Sequence, residues 1–294
     1  MDEKEAFRDE FEMHATDAGI APGYVDEYYG LLFEIATGLV SRGEGLFVLG
    51  IAGAQGTGKS TFARLLAIIF ERVFERTSLV LSLDDFYLTH AERQQLAARV
   101  HPMLAVRGVP GTHDMEMLRS VIRKLKARDN CEVPTFDKAQ DDRGAMIPVM
   151  GARLDLLVIE GWCWGAMPGS EAELSRPVNE LEITEDADGT WRRYVNQQLA
   201  STLYQSTFSE SEVNFFLAAP GMDAVRRWRW QQEQRLARSS TGRAVMSEEA
   251  VNRFVMYYER ITARMLKDLP SVSNLTLYLD DDHHFVRAPD RDRR

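Results

Sequence analysis

One stretch of the sequence combines glycines, a lysine and a hydroxyl side chain at the spacing that binds phosphate groups. Residues 53–60 read G-x-x-x-x-G-K-S, the pattern of a phosphate-binding loop. Glycines let backbone amides approach a ligand closely, and such amides at a helix N-terminus attract anions. Lys59 is then expected to neutralise the β- and γ-phosphates of ATP, and the Ser60 hydroxyl to bind Mg²⁺. The predicted nucleotide contacts are Gly53, Ala54, Gln55, Gly56, Thr57, Gly58, Lys59, Ser60 and Thr61.

The residues on either side of this loop predict the strand and the helix that it requires. Residues 45–52 form a short apolar run, which is typical of a buried parallel strand. Apolar residues then recur at helical spacing from Phe62 to Val73. A glycine-rich turn with an incidental lysine, the alternative interpretation, does not explain this setting.

Acidic residues follow two further predicted strands. Residues 79–83 precede Asp84 and Asp85, and residues 154–159 precede Glu160. Ligands of open parallel sheets bind beyond the carboxyl ends of the strands, so these carboxylates are candidates for function. Glu160 matches the second metal-organising position of phosphate-binding-loop enzymes. For Asp84 or Asp85, simple capping of the next helix is the alternative.

Two polar loops supply candidate substrate contacts. Residues 101–114 form a Gly/Pro-punctuated loop of functional length, in which Arg107 and His113 are substrate candidates and a structural use remains open. Residues 133–143 form another polar loop. Only six of the 35 basic residues are lysines, which draws attention to Lys138 there.

An arginine-rich helix is predicted over residues 222–238, with Trp228 and Trp230 between its arginines. A lid over about 222–245, with a hinge-like loop at its end, would bring Arg226 or Arg229 to the transferred phosphate. RNA binding and an ordinary solvated face are the alternatives. The glutamines and glutamate of the helix and the acidic whole chain argue against RNA.

Bulk properties restrict the function classes. The chain has 294 residues, 45% hydrophobic residues and a formal net charge of −10, whereas proteins with extended nucleic-acid surfaces normally carry a basic face. The sequence has no apolar run near the roughly 18 residues of a membrane span and no signal pattern. We therefore expect a cytoplasmic protein with a small-molecule partner and neither a nucleic-acid nor a membrane partner. The sequence leaves monomer and homodimer open.

Alternating strand and helix patterns predict an α/β fold, a parallel sheet sandwiched by helices as in P-loop NTPases. The expected organisation is a helical N-terminal extension over residues 1–44, a nucleotide-binding domain over 45–280 and a charged tail over 281–294. Within the domain, the acidic stretch 170–190 is interpreted as a solvated insertion. The pair His283-His284 indicates a solvated turn rather than a metal site.

These motifs resemble those of the phosphate-binding-loop kinases of small metabolites, which include uridine kinase, pantothenate kinase and phosphoribulokinase. The shared segments are residues 53–60, 82–86 and 157–161. Within that group the chain resembles the glycerate 3-kinase family and its bacterial and fungal relatives over residues 45–280. The narrower match lies in residues 83–87, 107–108, 111–114, 133–134, Lys138, Arg143, 159–165, 228–233, 246–249 and 254–255.

The resemblance implies ATP- and Mg²⁺-dependent transfer of a phosphoryl group to an alcohol, with glycerate as the first acceptor expected. Asp84 matches the carboxylate that orients the acceptor in related kinases. Pantothenate, uridine or a sugar phosphate are alternative acceptors, and a nucleotide-dependent switch is the opposing class, although its N-K-x-D signature is absent from the sequence. The implied catalytic residues are Lys59, Asp84 and Glu160, the metal ligands are Ser60, Asp84 and Glu160, and the substrate contacts are Asp85, Tyr87, Arg107, His113, Lys138 and Arg143.

Overall fold

A computed structural model describes residues 7–239 and 246–288. The start of the predicted N-terminal extension, most of the predicted hinge loop after the arginine-rich helix and the end of the predicted tail lie outside the described residues. Within these two ranges, the strands in chain order are β1 (Phe47–Gly53), β2 (Ser78–Ser82), β3 (Cys131–Asp137), β4 (Asp142–Val149), β5 (Leu156–Gly161), β6 (Val213–Ala218), β7 (Leu275–Leu279) and β8 (Phe285–Val286).

The central sheet confirms the predicted α/β architecture. Its six strands are ordered β2-β5-β1-β6-β7-β8. The first five are parallel to one another, and β8 pairs antiparallel with β7. Because β5 lies between β1 and β2, the phosphate-binding loop after β1 and the two acidic strand ends come out at one edge of the sheet.

Helices cover both faces of this sheet. Side chains alternate along β1, so that Val48 and Ala52 enter one hydrophobic core, and Leu49 and Ile51 enter the other. All four are buried, as expected for a sheet covered on both faces. The helices are α1 (Arg8–Asp17), α2 (Val25–Val40), α3 (Lys59–Arg72), α4 (His90–Arg99), α5 (Met115–Lys126), α6 (Glu171–Leu174), α7 (Glu180–Glu185), α8 (Thr190–Ala200), α9 (Thr202–Phe208), α10 (Met222–Ser239) and α11 (Glu248–Asp268).

The N-terminal helices α1 and α2 share one of these two cores with α3. Phe11 of α1 is fully buried and packs on Tyr29 of α2, with ring centroids 4.9 Å apart. On the outside, Glu10 of α1 pairs with Arg72 at the end of α3. The helices therefore continue the hydrophobic core of the sheet, while the division of the chain into domains stays a prediction.

Three segments differ from the sequence interpretation. Residues 133–143 are not a simple polar loop but belong to an antiparallel hairpin of β3 and β4. The stretch 170–190 is not merely solvated, because it forms α6 and α7 and buries Glu182 and Asp186 completely. The predicted tail contributes the short strand β8, where Phe285 pairs with Leu279. No helix in the described ranges has the length and apolar character that crossing a membrane requires.

Candidate active site

The loop between β1 and α3 has the backbone geometry that its glycines allow. Gly56 and Gly58 adopt φ of 83° and 81°, the left-handed region in which a side chain is strained. Gly53 has a different role, because a Cβ there would lie 2.7 Å from Thr57 Oγ1. That hydroxyl donates to the Ala54 carbonyl at 2.8 Å and closes the loop.

Beside the loop, Lys59 and Ser60, which are predicted to bind phosphate and metal, lie next to Glu160 at the end of β5. The Ser60 hydroxyl donates to Glu160 Oε1 at 2.8 Å, and Lys59 Nζ lies 3.8 Å from Glu160 Oε2. Glu160 is only 5% exposed, and its Oε2 accepts no hydrogen bond from the described residues. A buried carboxylate oxygen without a hydrogen-bond donor is the kind of atom that a cation and its waters satisfy.

This arrangement fits Mg²⁺ shared with phosphate oxygens. Among residues 7–239 and 246–288, no three His, Cys, Asp or Glu side chains form a metal cage. Mg²⁺ does not need one, since it usually binds one or two carboxylates together with substrate phosphates and water. Ser60 and Glu160 are therefore the residues that would hold it. Metal binding by Asp84 stays a prediction.

Asp84 lies at the carboxyl end of β2 and is held from two sides. The Tyr87 hydroxyl donates to its Oδ1 at 2.7 Å, and Lys138 Nζ lies 3.7 Å from its Oδ2. Burial alone would raise the pKa of Asp84, but the positive charges of Lys138 and Lys59 and the bond from Tyr87 outweigh it and lower that pKa. Asp84 is therefore ionised at neutral pH.

Asp85, the next residue, anchors the hairpin of β3 and β4. Its Oδ1 accepts the backbone N–H of Phe136 on β3 at 3.2 Å. Burial raises the pKa of Asp85, and the neighbouring charges of Asp84 and Glu160 raise it further, against the lowering effect of that N–H. Because Asp85 fixes the hairpin that carries Lys138, it positions the cation that faces Asp84.

The predicted substrate arginines already have acidic partners in this conformation. Arg107 pairs with Asp141 and lies over the Phe136 ring, 5.2 Å from its centroid. Arg143 donates to Asp114 Oδ2 at 3.0 Å. Their roles as substrate contacts stay predictions, and a ligand would have to share each guanidinium with the carboxylate that holds it.

His113 is brought next to the other candidates but not as a cation. Its ring stacks on Tyr87 with centroids 4.8 Å apart, and its Nδ1 lies 3.1 Å from the hydroxyl of Tyr204. Burial lowers the pKa of His113 to about 4, so that the imidazole is neutral at physiological pH. His113 therefore supplies no positive charge to a substrate at neutral pH, and its role as a substrate contact stays a prediction.

The arginine-rich helix α10 lies directly against the phosphate-binding loop. A Cβ on Gly56 would come within 2.6 Å of Trp228 Cβ and 3.6 Å of the Arg229 backbone nitrogen. Arg229 donates to Glu233 at 2.8 Å and lies over the Phe254 ring. The other predicted lid residue, Arg226, turns toward Asp223 and Glu259 at 2.9 and 2.7 Å. Of the two, Arg229 is the one beside the loop.

Sequence reasoning missed a contact that ties this loop to the last strand pair. The His283 ring donates to the Gly56 carbonyl at 2.7 Å and stacks on Trp228, with centroids 4.1 Å apart. The indole N–H of Trp228 donates to the Asp281 carbonyl at 2.8 Å. The two adjacent histidines and the tryptophan of the sequence were the available signals, but their pairing depends on tertiary structure.

The sequence analysis also missed Tyr258 of α11, a buried residue that lies close to several of the candidate residues. Its hydroxyl donates to the Arg107 carbonyl at 3.3 Å, and a Cβ on Gly108 would collide with it at 2.1 Å. Burial and the charge of Asp84 raise the pKa of Tyr258, whereas the charges of Arg107 and Arg229 oppose that rise. Asp84, Arg107 and Arg229 therefore lie close enough for their charges to act on the buried Tyr258 hydroxyl.

Trp162 and Trp164 are packing residues in this structure. Both are at most 2% exposed. The Trp162 indole donates to the Gly108 carbonyl at 2.8 Å, and that of Trp164 donates to Asn214 Oδ1 at 3.2 Å. Neither ring presents a free face on which a base could stack.

Comparison with known proteins gives this geometry a family. The sequence profile of the "Phosphoribulokinase / Uridine kinase family" matches residues 48–166, the part of the chain that contains the phosphate-binding loop, Asp84 and Glu160. A Schizosaccharomyces pombe protein named "Uncharacterized kinase mug58" is 36% identical over 224 residues, which are 72% of this chain and 78% of that protein.

Two further proteins that are similar to this chain are named for the same activity. The protein "D-glycerate 3-kinase, chloroplastic" of Arabidopsis thaliana is 29% identical over 229 residues, 72% of this chain and 46% of that protein. The solved structure of a D-glycerate 3-kinase from Cryptococcus neoformans var. grubii has a TM-score of 0.73 at 22% identity, covering 88% of this chain and 99% of that one. It shows the same fold. The phosphate-binding loop, the strand order and the relatives together show that the chain belongs to the phosphoribulokinase/uridine kinase family of P-loop kinases.

Proposed function

We propose that this chain is an ATP-dependent kinase that transfers the γ-phosphate to a hydroxyl group of a small anionic metabolite, with glycerate as the first acceptor to test. The observation that carries the proposal is the meeting of three strand ends. The Ser60–Glu160 hydrogen bond and Lys59 lie at β1 and β5, and an ionised Asp84 lies at β2 beside them.

The surrounding charges support an anionic acceptor. Lys138 is 58% exposed beside Asp84, and Arg107 keeps 30% of its side chain exposed. A neutral nucleoside would need neither cation. Two relatives bear the name D-glycerate 3-kinase, which makes glycerate the first choice, while pantothenate, uridine and sugar phosphates remain the alternatives. The proposal needs a small-molecule partner but no nucleic acid or membrane.

In the proposed reaction, the alcohol oxygen forms a bond to the γ-phosphorus while the bond to the oxygen of the leaving diphosphate breaks. Lys59 and the loop amides hold the β- and γ-phosphates, with Ser60 and Glu160 as the metal-holding residues. Mg²⁺, when bound, neutralises charge on the phosphate oxygens. Asp84 orients the alcohol and takes its proton. The pKa of Asp84 does not have to be raised for this role, because the alcohol need not lose its proton before a loose transition state is reached.

The test is a product assay with ATP and each of four alcohols: glycerate, pantothenate, uridine and ribulose 5-phosphate. We expect ADP to form only when one of them is present, with a stoichiometric phosphorylated product. The Lys59→Ala protein, prepared in the same way, shows whether turnover comes from this chain or from a contaminant. ADP formation at the same rate without any alcohol would instead support the nucleotide-dependent switch.

Variants of the two predicted lid arginines should differ in their turnover. Both arginines have acidic partners, but only Arg229 lies beside the loop. We therefore expect Arg229→Gln to reduce kcat by about 10-fold to 100-fold, the range of a hydrogen bond to a charged group. Arg226→Gln removes the same charge one helical turn away and should change kcat by less than about fivefold, as for a partly exposed ion pair. Steady-state kinetics of both variants decide between them, and equal losses would contradict the assignment.

Removing the cation that faces Asp84 should change the pH dependence. The pKa of Asp84 is lowered partly by Lys138, so Lys138→Met raises it, and Asp84 then becomes protonated at higher pH. We expect the acid limb of the pH profile of kcat/KM for the alcohol to move upward relative to the wild type. Lys126→Met removes an equal charge from a lysine paired with Glu210 and is the control. A limb that stays in place in Lys138→Met would contradict the coupling.

A further inference from the structure

His113 is a buried histidine whose two ring nitrogens have different surroundings. Nδ1 lies 3.1 Å from the Tyr204 hydroxyl. Nε2, on the edge of the ring away from Tyr204, has no hydrogen-bond partner among the described residues. The whole residue is 5% exposed, with one face of the ring stacked on Tyr87. It is therefore a polar group that is buried but only half satisfied.

The neighbouring backbone decides in which direction the bond between Tyr204 and His113 runs. The N–H of Gly111 donates to the Tyr204 oxygen at 2.7 Å. The tyrosine hydroxyl thus already accepts a bond, and its own proton is the one available for His113 Nδ1. A neutral imidazole has one accepting and one donating nitrogen. With Nδ1 as the acceptor, the ring proton is placed on Nε2.

The ring is neutral because it is buried, which lowers the pKa of His113 to about 4. The unpartnered Nε2 is then an N–H donor, and a buried donor without an acceptor is costly. Asp84 lies near enough for its charge to affect the titration of His113, and Tyr87 touches both residues, through a ring stack and through its hydroxyl. The free donor is thus within the surroundings of the carboxylate proposed to orient the alcohol.

We propose that Tyr204 is a positioning residue that fixes His113 as the neutral Nε2–H tautomer, so that this ring donates a hydrogen bond to an oxygen of the alcohol substrate. The second half of this inference rests on the proposed kinase function. The Nε2–H group gives the site a neutral donor, which selects a substrate by the position of its oxygen and not by its charge. A site built to bond an oxygen discriminates strongly against an analogue that lacks it, because the buried donor is then left unpaired.

The tautomer can be observed directly, without any substrate. Long-range proton–nitrogen NMR of the full chain with nitrogen-15 histidine separates the two neutral forms, and His113→Gln identifies the signal among the six histidines. We expect His113 to carry its proton on Nε2 at neutral pH. In Tyr204→Phe, which keeps the ring but loses the hydroxyl that bonds Nδ1, the fraction of the Nδ1–H form should increase. An Nδ1–H tautomer in the wild type, or an unchanged tautomer ratio in Tyr204→Phe, would overturn the proposal.

The donor role is tested by kinetics on the alcohol that the product assay identifies. We expect Tyr204→Phe to raise KM for the alcohol by roughly 10-fold or more and to leave KM for ATP unchanged. The control is Tyr194→Phe, since the Tyr194 ring also packs on Gly111 but its hydroxyl does not contact His113. Among variants of the histidine itself, His113→Gln retains a side-chain N–H and should bind the alcohol better than His113→Leu.

The outcomes of these two experiments separate the inference from the proposed function. An Nε2–H signal in a chain that phosphorylates no alcohol would refute the kinase proposal and the donor role together, while the part assigned to Tyr204 stands. An active kinase in which Tyr204→Phe and Tyr194→Phe have the same KM for the alcohol would refute the donor role alone. A melting curve of each variant distinguishes these results from loss of the fold.

Discussion

Asp84→Asn is expected to reduce kcat for the alcohol by about 10²–10⁴-fold, the range of general-base contributions. The amide fits the same space and can still accept the hydroxyl bond of Tyr87, but it cannot take a proton and has lost the charge that faces Lys138. ATP affinity should remain close to wild type, because Lys59, Ser60 and the loop amides are untouched. Calorimetric titration with ATP and steady-state turnover measure the two effects separately.

Two other aspartates give the comparisons for that experiment. Asp188→Asn changes an exposed aspartate that accepts the backbone N–H of Thr190 at the start of α8 and should leave turnover unaffected. Asp85→Asn keeps an oxygen that can accept the Phe136 N–H, so we expect a smaller loss than in Asp84→Asn. Near-wild-type turnover in Asp84→Asn would remove this residue from the mechanism, whereas equal losses at both positions would indicate a shared structural effect.

Asp186→Ala should lower the free energy of unfolding by about 3–5 kcal/mol, the range for removal of one partner of a buried ion pair. Asp186 is completely buried and binds the Arg192 guanidinium at 2.9 Å. It also accepts the backbone N–H groups of Trp191 and Arg192 at 2.7 and 3.1 Å. Without it, a guanidinium that is 3% exposed is left without its counter-ion. Urea denaturation followed by circular dichroism measures the change.

The neighbouring residue of α8 provides the control for this stability measurement. Arg193 pairs with Glu171 at 2.7 Å, with side chains 42% and 71% exposed. Because solvent and salt screen such a pair, Glu171→Ala should change stability little. If both alanine variants unfold at the same denaturant concentration, burial does not decide the strength of these two pairs.

The nucleotide side of the site was predictable because its determinants are local. The glycine positions of the loop, the apolar strand before it and the helical periodicity after it all lie within residues 45–73. The placement of Asp84 and Glu160 followed from one general property of parallel sheets, that the carboxyl ends of strands share an edge. The order of β2, β5 and β1 confirms that these strand ends are neighbours.

The proposed acceptor side was less predictable because its properties come from contacts between distant segments. Arg107 and Arg143 were expected to be available to a substrate, but Asp141 and Asp114 bind them. The protonation state of His113 depends on burial by residues from other elements, which sequence spacing does not reveal. The same holds for the acidic stretch 170–190, where Arg260 of α11 binds the buried Glu182 at 2.5 Å.

The bond between Gly56 and His283 joins residues that are 227 positions apart in the chain. The entropy of closing such a loop grows only with the logarithm of its length, but long-range contacts of this kind slow folding. In a nascent chain, this contact of the loop therefore forms only after His283 has been synthesised, later than the strand and helix that carry the loop.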